Sequence, residues 1–142
     1  MADHRLKLQQ QLPFTLNDTD FPALGVKYRG KVRDTYAKGD RLVLVTTDRL
    51  SAFDHILTTL PFKGDLLNTL AHFWFKKTEH IVKNHVLDMP DPCVIVGRKA
   101  QPFKIEFVVR AHLTGSLWRD YEAGRDPYAL ALPAGMKKDQ AF

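Results

Sequence analysis

The sequence predicts an α+β fold built on an antiparallel sheet, and three observations predict it. Val26 and Tyr28 alternate with Lys27 and Arg29, which is the two-residue period of a strand. Short apolar runs such as 42–45 are bounded by turn residues, here Gly39 and Asp40 before the run. One long stretch, about 65–81, carries apolar residues at helical spacing.

Taken in order, residues 1–24 form a polar lead-in in which Pro13 and Pro22 bracket a segment whose apolar residues dock onto the body. From Gly25 the alternation gives a meander of about three strands: one at Val26, a polar-rich one through Tyr36, and the apolar run ending at Val45. Residues 48–57 read as a loop entering a short extended segment that stops at Pro61, Lys63 and Gly64. Asp65 then serves as N-cap of a helix to about Ile81, with Leu66, Leu70, Phe73 and Trp74 as its apolar face and Lys76, Lys77 and Glu79 as its solvated side. Pro90 and Pro92 make a break. Two strands follow, at 93–97 and 103–110, and a second helix runs from about 116 to 123 and stops at Gly124 as its C′ residue. The remainder is loop. The domain reading is a lead-in (1–24), a β-rich lobe with one long helix (25–110), and the start of a second lobe (111–142).

At 142 residues, 44% hydrophobic and 26% charged, the chain is the size of one ordinary domain and is not a disordered segment. Twenty-one basic against sixteen acidic residues give a net charge of +5, which favours an anionic partner without choosing it. The single cysteine, Cys93, cannot make an internal disulfide and reads as a packed side chain. The six histidines have no metal-site spacing, so no metal ligand is expected in this segment. No apolar run approaches the roughly 18 residues of a membrane span, and a cytoplasmic setting is expected.

Three constellations carry candidate chemistry. In 28–36, Gly30 stands between strand-like segments with Lys31 and Arg33 two apart on one face, a pattern that suits a polyphosphate and equally a hairpin with surface charges. It is not a P-loop of the Walker type. In 46–54, Asp48, Arg49, Ser51 and Asp54 follow a buried strand, where scaffolds display binding groups; the plainer account is a turn in which Asp48 and Ser51 make local hydrogen bonds. In 105–116, Glu106, Val108 and Arg110 share one strand face, and Thr114, Gly115 and Ser116 begin a helix whose free N–H groups and dipole attract phosphate. Ser116 as an ordinary N-cap explains the same residues.

In this order, "GKVRD" at 30–34, "TDRLSAFD" at 47–54 and "IEFVVRAHLTGS" at 105–116 resemble the phosphoribosylaminoimidazole-succinocarboxamide synthase (SAICAR synthetase) family. The third stretch matches a signature Glu-x-Val-Val-Arg-x-x-x-Thr-Gly-Ser, with Lys104 where the family has proline. The resemblance runs from about Gly25 onward and reaches only the N-terminal part, because the family's later Asp-x-Lys-x-Glu-Phe/Tyr-Gly motif has no counterpart here. It implies the β-rich N-terminal lobe of a two-lobed, ATP-grasp-like ligase that uses ATP with Mg2+, carboxyaminoimidazole ribonucleotide and L-aspartate. It also implies roles. Gly30, Lys31 and Arg33, with Lys99, would meet the ATP phosphates, and Glu106 with the backbone at Val108 the adenine. Arg110 and Ser116, beside Thr114 and Gly115, would hold the ribonucleotide phosphate, and Asp48, Ser51 and Asp54 would serve the substrate side. No covalent nucleophile is expected, the segment alone is expected to be inactive, and homo-oligomerisation is left open. The competing reading is a small basic nucleic-acid-binding module. Against it, Phe73, Trp74 and Phe75 fall in the helix pattern and Tyr28 and Tyr36 flank Gly30, leaving no evident stacking ladder.

Overall fold

The apolar run predicted at 42–45 becomes the middle strand of the sheet in the computed structural model, which describes the backbone of residues 2–142 and side chains from His4 onward. The chain forms two compact units, one ending at Gln101 and one spanning Pro102–Phe142, each described here by itself.

In the first unit, β1 (Val26–Arg29), β2 (Arg33–Lys38), β3 (Arg41–Thr46), β6 (Val86–Asp91) and β7 (Val94–Arg98) make an antiparallel sheet in the order β1-β2-β3-β7-β6. A separate hairpin pairs β4 (Arg49–Ala52) with β5 (His55–Thr59), turning through Phe53 and Asp54, both at positive φ as a tight primed turn demands. The meander is as the sequence predicts, but β1 faces the other way. Val26 and Tyr28 are exposed, while Lys27 turns inward to Asp18 at 2.8 Å and Asp34 at 3.4 Å. An edge strand with carboxylates beneath it follows the charge pairing and not the apolar alternation.

The lead-in contains a helix that the sequence reading missed, α1 (Ala2–Gln11). Farther along, the Thr19 N–H and hydroxyl both donate to Asp34 Oδ2, at 2.9 and 2.8 Å, and tie the lead-in to the sheet. The residues around 90 are also not a break. β6 runs through Pro90 at the sheet edge, where a missing N–H costs nothing and the register is already irregular.

Helix α2 (Lys63–Thr78) overturns the predicted face and the predicted cap. Leu66, Leu70, Phe73 and Trp74 are about half exposed or more, and the buried positions are Gly64 and Asn68. A Cβ on Gly64 would lie 2.3 Å from the Thr46 carbonyl oxygen, so glycine is what lets the helix approach β3 this closely. Asn68 then joins helix to sheet, its amide donating to Pro92 O at 2.9 Å and its oxygen accepting from the Thr46 hydroxyl at 3.3 Å. Asp65 lies inside the first turn, after a left-handed Phe62 that supplies no cap. The capping acceptor comes from far upstream: Asp48 Oδ1 receives the Gly64 N–H at 2.9 Å.

In the second unit, α3 (Gly115–Glu122) starts after an extended Thr114, two residues before the predicted cap Ser116. It ends as predicted, with Gly124 at φ +68° donating its N–H to Tyr121 O at 2.9 Å. Leu117 is its buried side chain, and Leu113, just before the helix, is buried as well. The strand predicted at 103–110 does not form: the segment bends at Lys104 and belongs to no sheet, and Phe103, Ile105, Phe107 and Val109 are 69% to 97% exposed. A strand exists only through pairing, and no described element lies alongside this segment to complete a ladder.

Candidate functional site

The first group of candidate residues surrounds the turn between β1 and β2. Gly30 is held closely, because a Cβ there would sit 3.0 Å from Arg33 O, whose carbonyl already accepts the Gly30 N–H at 2.8 Å. The crowding that favours glycine is thus the turn's own backbone. Lys31 lies in the turn and not on a strand, and its ammonium pairs with the Asp54 carboxylate at the tip of the β4–β5 hairpin. The lysine is thereby favoured in its charged form and the aspartate in its ionised form. Both side chains are well exposed, so the pair exchanges with solvent easily. Arg33, also exposed, begins β2.

Asp48 and Lys99 are placed elsewhere. The two carboxylate oxygens of Asp48 serve backbone, accepting from Leu16 N and Gly64 N at 2.9 Å each, so this buried group joins lead-in to helix. Ser51 is half-buried on β4 at an irregularity in the hairpin register. Lys99 follows β7, whose Arg98 pairs with Arg41 beside the β2–β3 turn, and its N–H donates to Asp40 O at 2.7 Å. That is the far end of the strands from Lys31, ~17 Å along β2 at the usual rise per residue. The structure does not bring Lys99 to Lys31 and Arg33.

The second unit brings four candidates together. Glu106, Val108, Arg110 and Ser116 line one open cavity of about 770 Å³, together with Leu117, Tyr128, Leu130 and Phe142. The Arg110 guanidinium donates to Ser116 Oγ at 3.3 Å and lies over Gly115, at φ +61°. A cation therefore stands beside the first turn of α3, where free N–H groups and the helix dipole add to its attraction for an anion. The volume is that of a typical small-molecule site, apolar with a few polar groups.

The family model for SAICAR synthetase matches residues 26–142. The chain belongs to the SAICAR synthetase family. The phosphoribosylaminoimidazole-succinocarboxamide synthase of Legionella pneumophila (strain Paris) is 48% identical over 134 residues, covering 91% of this chain and 43% of that protein. The chloroplastic enzyme of Vigna aconitifolia is 50% identical over 124 residues, covering 84% and 36%. Among solved structures, the SAICAR-synthase from Saccharomyces cerevisiae complexed with SAICAR matches with a TM-score of 0.81 at 31% identity, over 89% of this chain and 51% of that one. A type-2 SAICAR synthetase in complex with ADP matches with a TM-score of 0.61 at 25% identity. The chain thus spans about half or less of the length of these relatives, and its antiparallel sheet with few helices is the α+β architecture expected for SAICAR synthetase.

Sequence reasoning named Arg49 only as a displayed loop group and missed its pairing with a second residue inside the family-like motifs. Asp34 ends "GKVRD" and Arg49 lies within "TDRLSAFD", and they form an ion pair at 2.7 Å with no exposed side-chain surface on either. Burial by itself would raise the Asp34 pKa, but hydrogen bonds from Arg49 and from Thr19 outweigh it and hold the carboxyl at about 2. The available signal was one acid and one base inside motifs that flank apolar β3, since such charges are buried only in pairs.

Proposed function

We propose that the chain is the N-terminal portion of an ATP-dependent ligase of purine biosynthesis that joins carboxyaminoimidazole ribonucleotide to L-aspartate. A carboxylate oxygen of the ribonucleotide attacks the γ-phosphorus of ATP, and ADP leaves. The aspartate amine then attacks the acyl-phosphate carbon, and phosphate leaves as the succinocarboxamide forms. The observation that carries this reading is the Glu106–Val108–Arg110–Ser116 cavity in a family whose solved members hold SAICAR and ADP.

Such a reaction demands positioning and charge compensation more than covalent help from the protein. Lys31 and Arg33 neutralise the ATP phosphates, with phosphate oxygens replacing the Asp54 carboxylate as the partner of Lys31. Arg110 and Ser116 hold the 5′-phosphate of the ribonucleotide, and Glu106 with the Val108 backbone faces the adenine. Ser51 and Asp54 serve the substrate side, and Asp48 acts through the backbone it holds.

Magnesium accompanies ATP in this reading as the counter-ion of its phosphates. The residues present do not fit a magnesium cage. Among the described residues the three-donor grouping is Asp65, Asp91 and Cys93, whose soft thiol burial pushes up to about 12. No step is assigned to a metal here. No helix among the described residues is long and apolar enough to cross a membrane, and we assign the activity to the cytoplasm with small molecules as partners. The nucleic-acid alternative is set aside on family membership. The aromatic argument against it does not hold, because Tyr28, Phe73 and Trp74 are exposed.

Kinetics of a family-length enzyme carrying Arg110→Ala test the reading. Loss of a charge-assisted phosphate contact raises the apparent KM for the ribonucleotide about 10- to 100-fold and leaves that for ATP within a few-fold. Equal effects on both substrates would sink the assigned role. Residues 1–142 alone turn over negligibly in this reading.

A further inference from the structure

Arg49 has no exposed side-chain surface, and its guanidinium addresses backbone on several sides. Nε donates to Lys31 O at 3.2 Å, Nη2 to Gly30 O at 2.9 Å and to Asp34 Oδ1 at 2.7 Å, and Nη1 to Asn17 O. Thr47 takes the next carbonyl, since its N–H and its hydroxyl both donate to Val32 O at 2.9 Å. The carbonyls of Gly30, Lys31 and Val32 are therefore all drawn onto buried donors. In a trans peptide the C=O and the following N–H point in opposite directions, and no cis bond occurs among the described residues. The N–H groups of Lys31 and Val32 must then be turned away from those donors, whereas Arg33, which already pairs with Gly30 across the turn, faces inward. Successive amide protons held on the outer side of a turn attract an anion, provided that the turn is rigid.

We propose that Arg49, balanced by Asp34, is the positioning residue of the Gly30–Arg33 turn: it holds the carbonyls inward, so that the amides and the Lys31 side chain are presented to a phosphate group. This deepens the nucleotide reading and rests on it, adding a residue that touches no ligand. Arginine is required because only a planar fork reaches two successive carbonyls and a carboxylate together. A lysine ammonium brings the charge without the fork. Asp34 makes the buried cation tolerable by pairing with it.

The test is 15N relaxation on the 142-residue chain, with ATP titrations on the same samples, for the native chain, Arg49→Lys and Lys31→Ala. In the native chain the backbone order parameters of Lys31 and Val32 should be about 0.85 despite their place in a surface turn. In Arg49→Lys they should fall below about 0.6 while Val45 and Ile95 keep theirs, and ATP should bind about tenfold more weakly. Lys31→Ala should weaken ATP and leave the turn rigid. A turn already mobile in the native chain overturns the proposal, and that measurement needs no variant to fold. A turn that stays rigid in Arg49→Lys overturns it too. If Arg49→Lys loosens the turn while Lys31→Ala binds ATP as the native chain does, positioning stands and the phosphate role of Lys31 falls.

Discussion

Asp34→Asn keeps the shape of the side chain and removes its charge, and the surroundings of Asp34 make the cost calculable. One oxygen receives Arg49 and the other receives the N–H and hydroxyl of Thr19. Arg49 and the Thr19 N–H can only donate, so the asparagine NH2 must face a donor in either orientation. The carboxyl is lowered from its ordinary 3.8 to about 2, which corresponds to about 2 kcal/mol of stability from ionisation. The donor facing a donor adds about 1–3 kcal/mol, and a total of about 3–5 kcal/mol matches the usual cost of breaking a buried pair. The pH dependence carries the sign. A depressed folded pKa means that the stabilisation is complete above the unfolded pKa and is lost as pH falls through the folded one. About half of the ionisation part is therefore gone by pH 3, and the gap between native and variant should narrow by about 1 kcal/mol between pH 7 and pH 3. Urea unfolding followed by circular dichroism at both pH values measures it. A gap under about 1 kcal/mol at pH 7, or one that does not narrow on acidification, would refute the reasoning.

Asn68→Ala should cost about 1–3 kcal/mol in the same urea assay, because it strips Pro92 O and the Thr46 hydroxyl of a buried partner, whereas Leu70→Ala on the exposed face should cost less than about 1 kcal/mol. The reverse ranking would put the apolar face back in the core. Gly64→Ala should destabilise by about 1–3 kcal/mol through the clash with Thr46 O, read as a drop in urea midpoint. Cys93, its thiol pushed up to about 12, should resist iodoacetamide at pH 8 in the folded chain and react once urea unfolds it.

What could be read in the sequence was whatever depends on near neighbours along the chain. The β1–β3 meander and the glycine stop after α3 follow from alternation and turn residues within a few positions of each other. The helical stretch at α2 was legible for the same reason, but its orientation was not. An apolar stripe says which face prefers burial, while a glycine fitting under Thr46 and an asparagine bonded to β3 and to the β6–β7 turn decide which face is buried here. The α2 cap was hidden because its acceptor, Asp48, lies 16 residues upstream of the N–H that it receives. The site divides similarly. Glu106, Arg110 and Ser116 fell within one short motif and do line one cavity, whereas the Arg49 bonds to Asn17, Gly30 and Lys31 cross up to 32 residues and leave no periodic trace.

The unpaired apolar segment has a consequence for handling the protein. Proteases grip substrates as extended chains, adding the bound peptide to a strand of their own, and they work fastest where no local unfolding must come first. Residues 103–110 are already exposed and outside any helix or sheet, free to be drawn out into such a strand, with Lys104 and Arg110 as basic cleavage points. Brief trypsin treatment would thus sever the chain there well before it reached β3 or β7, separating the turn that carries Lys31 from the cavity that carries Ser116 in one cut.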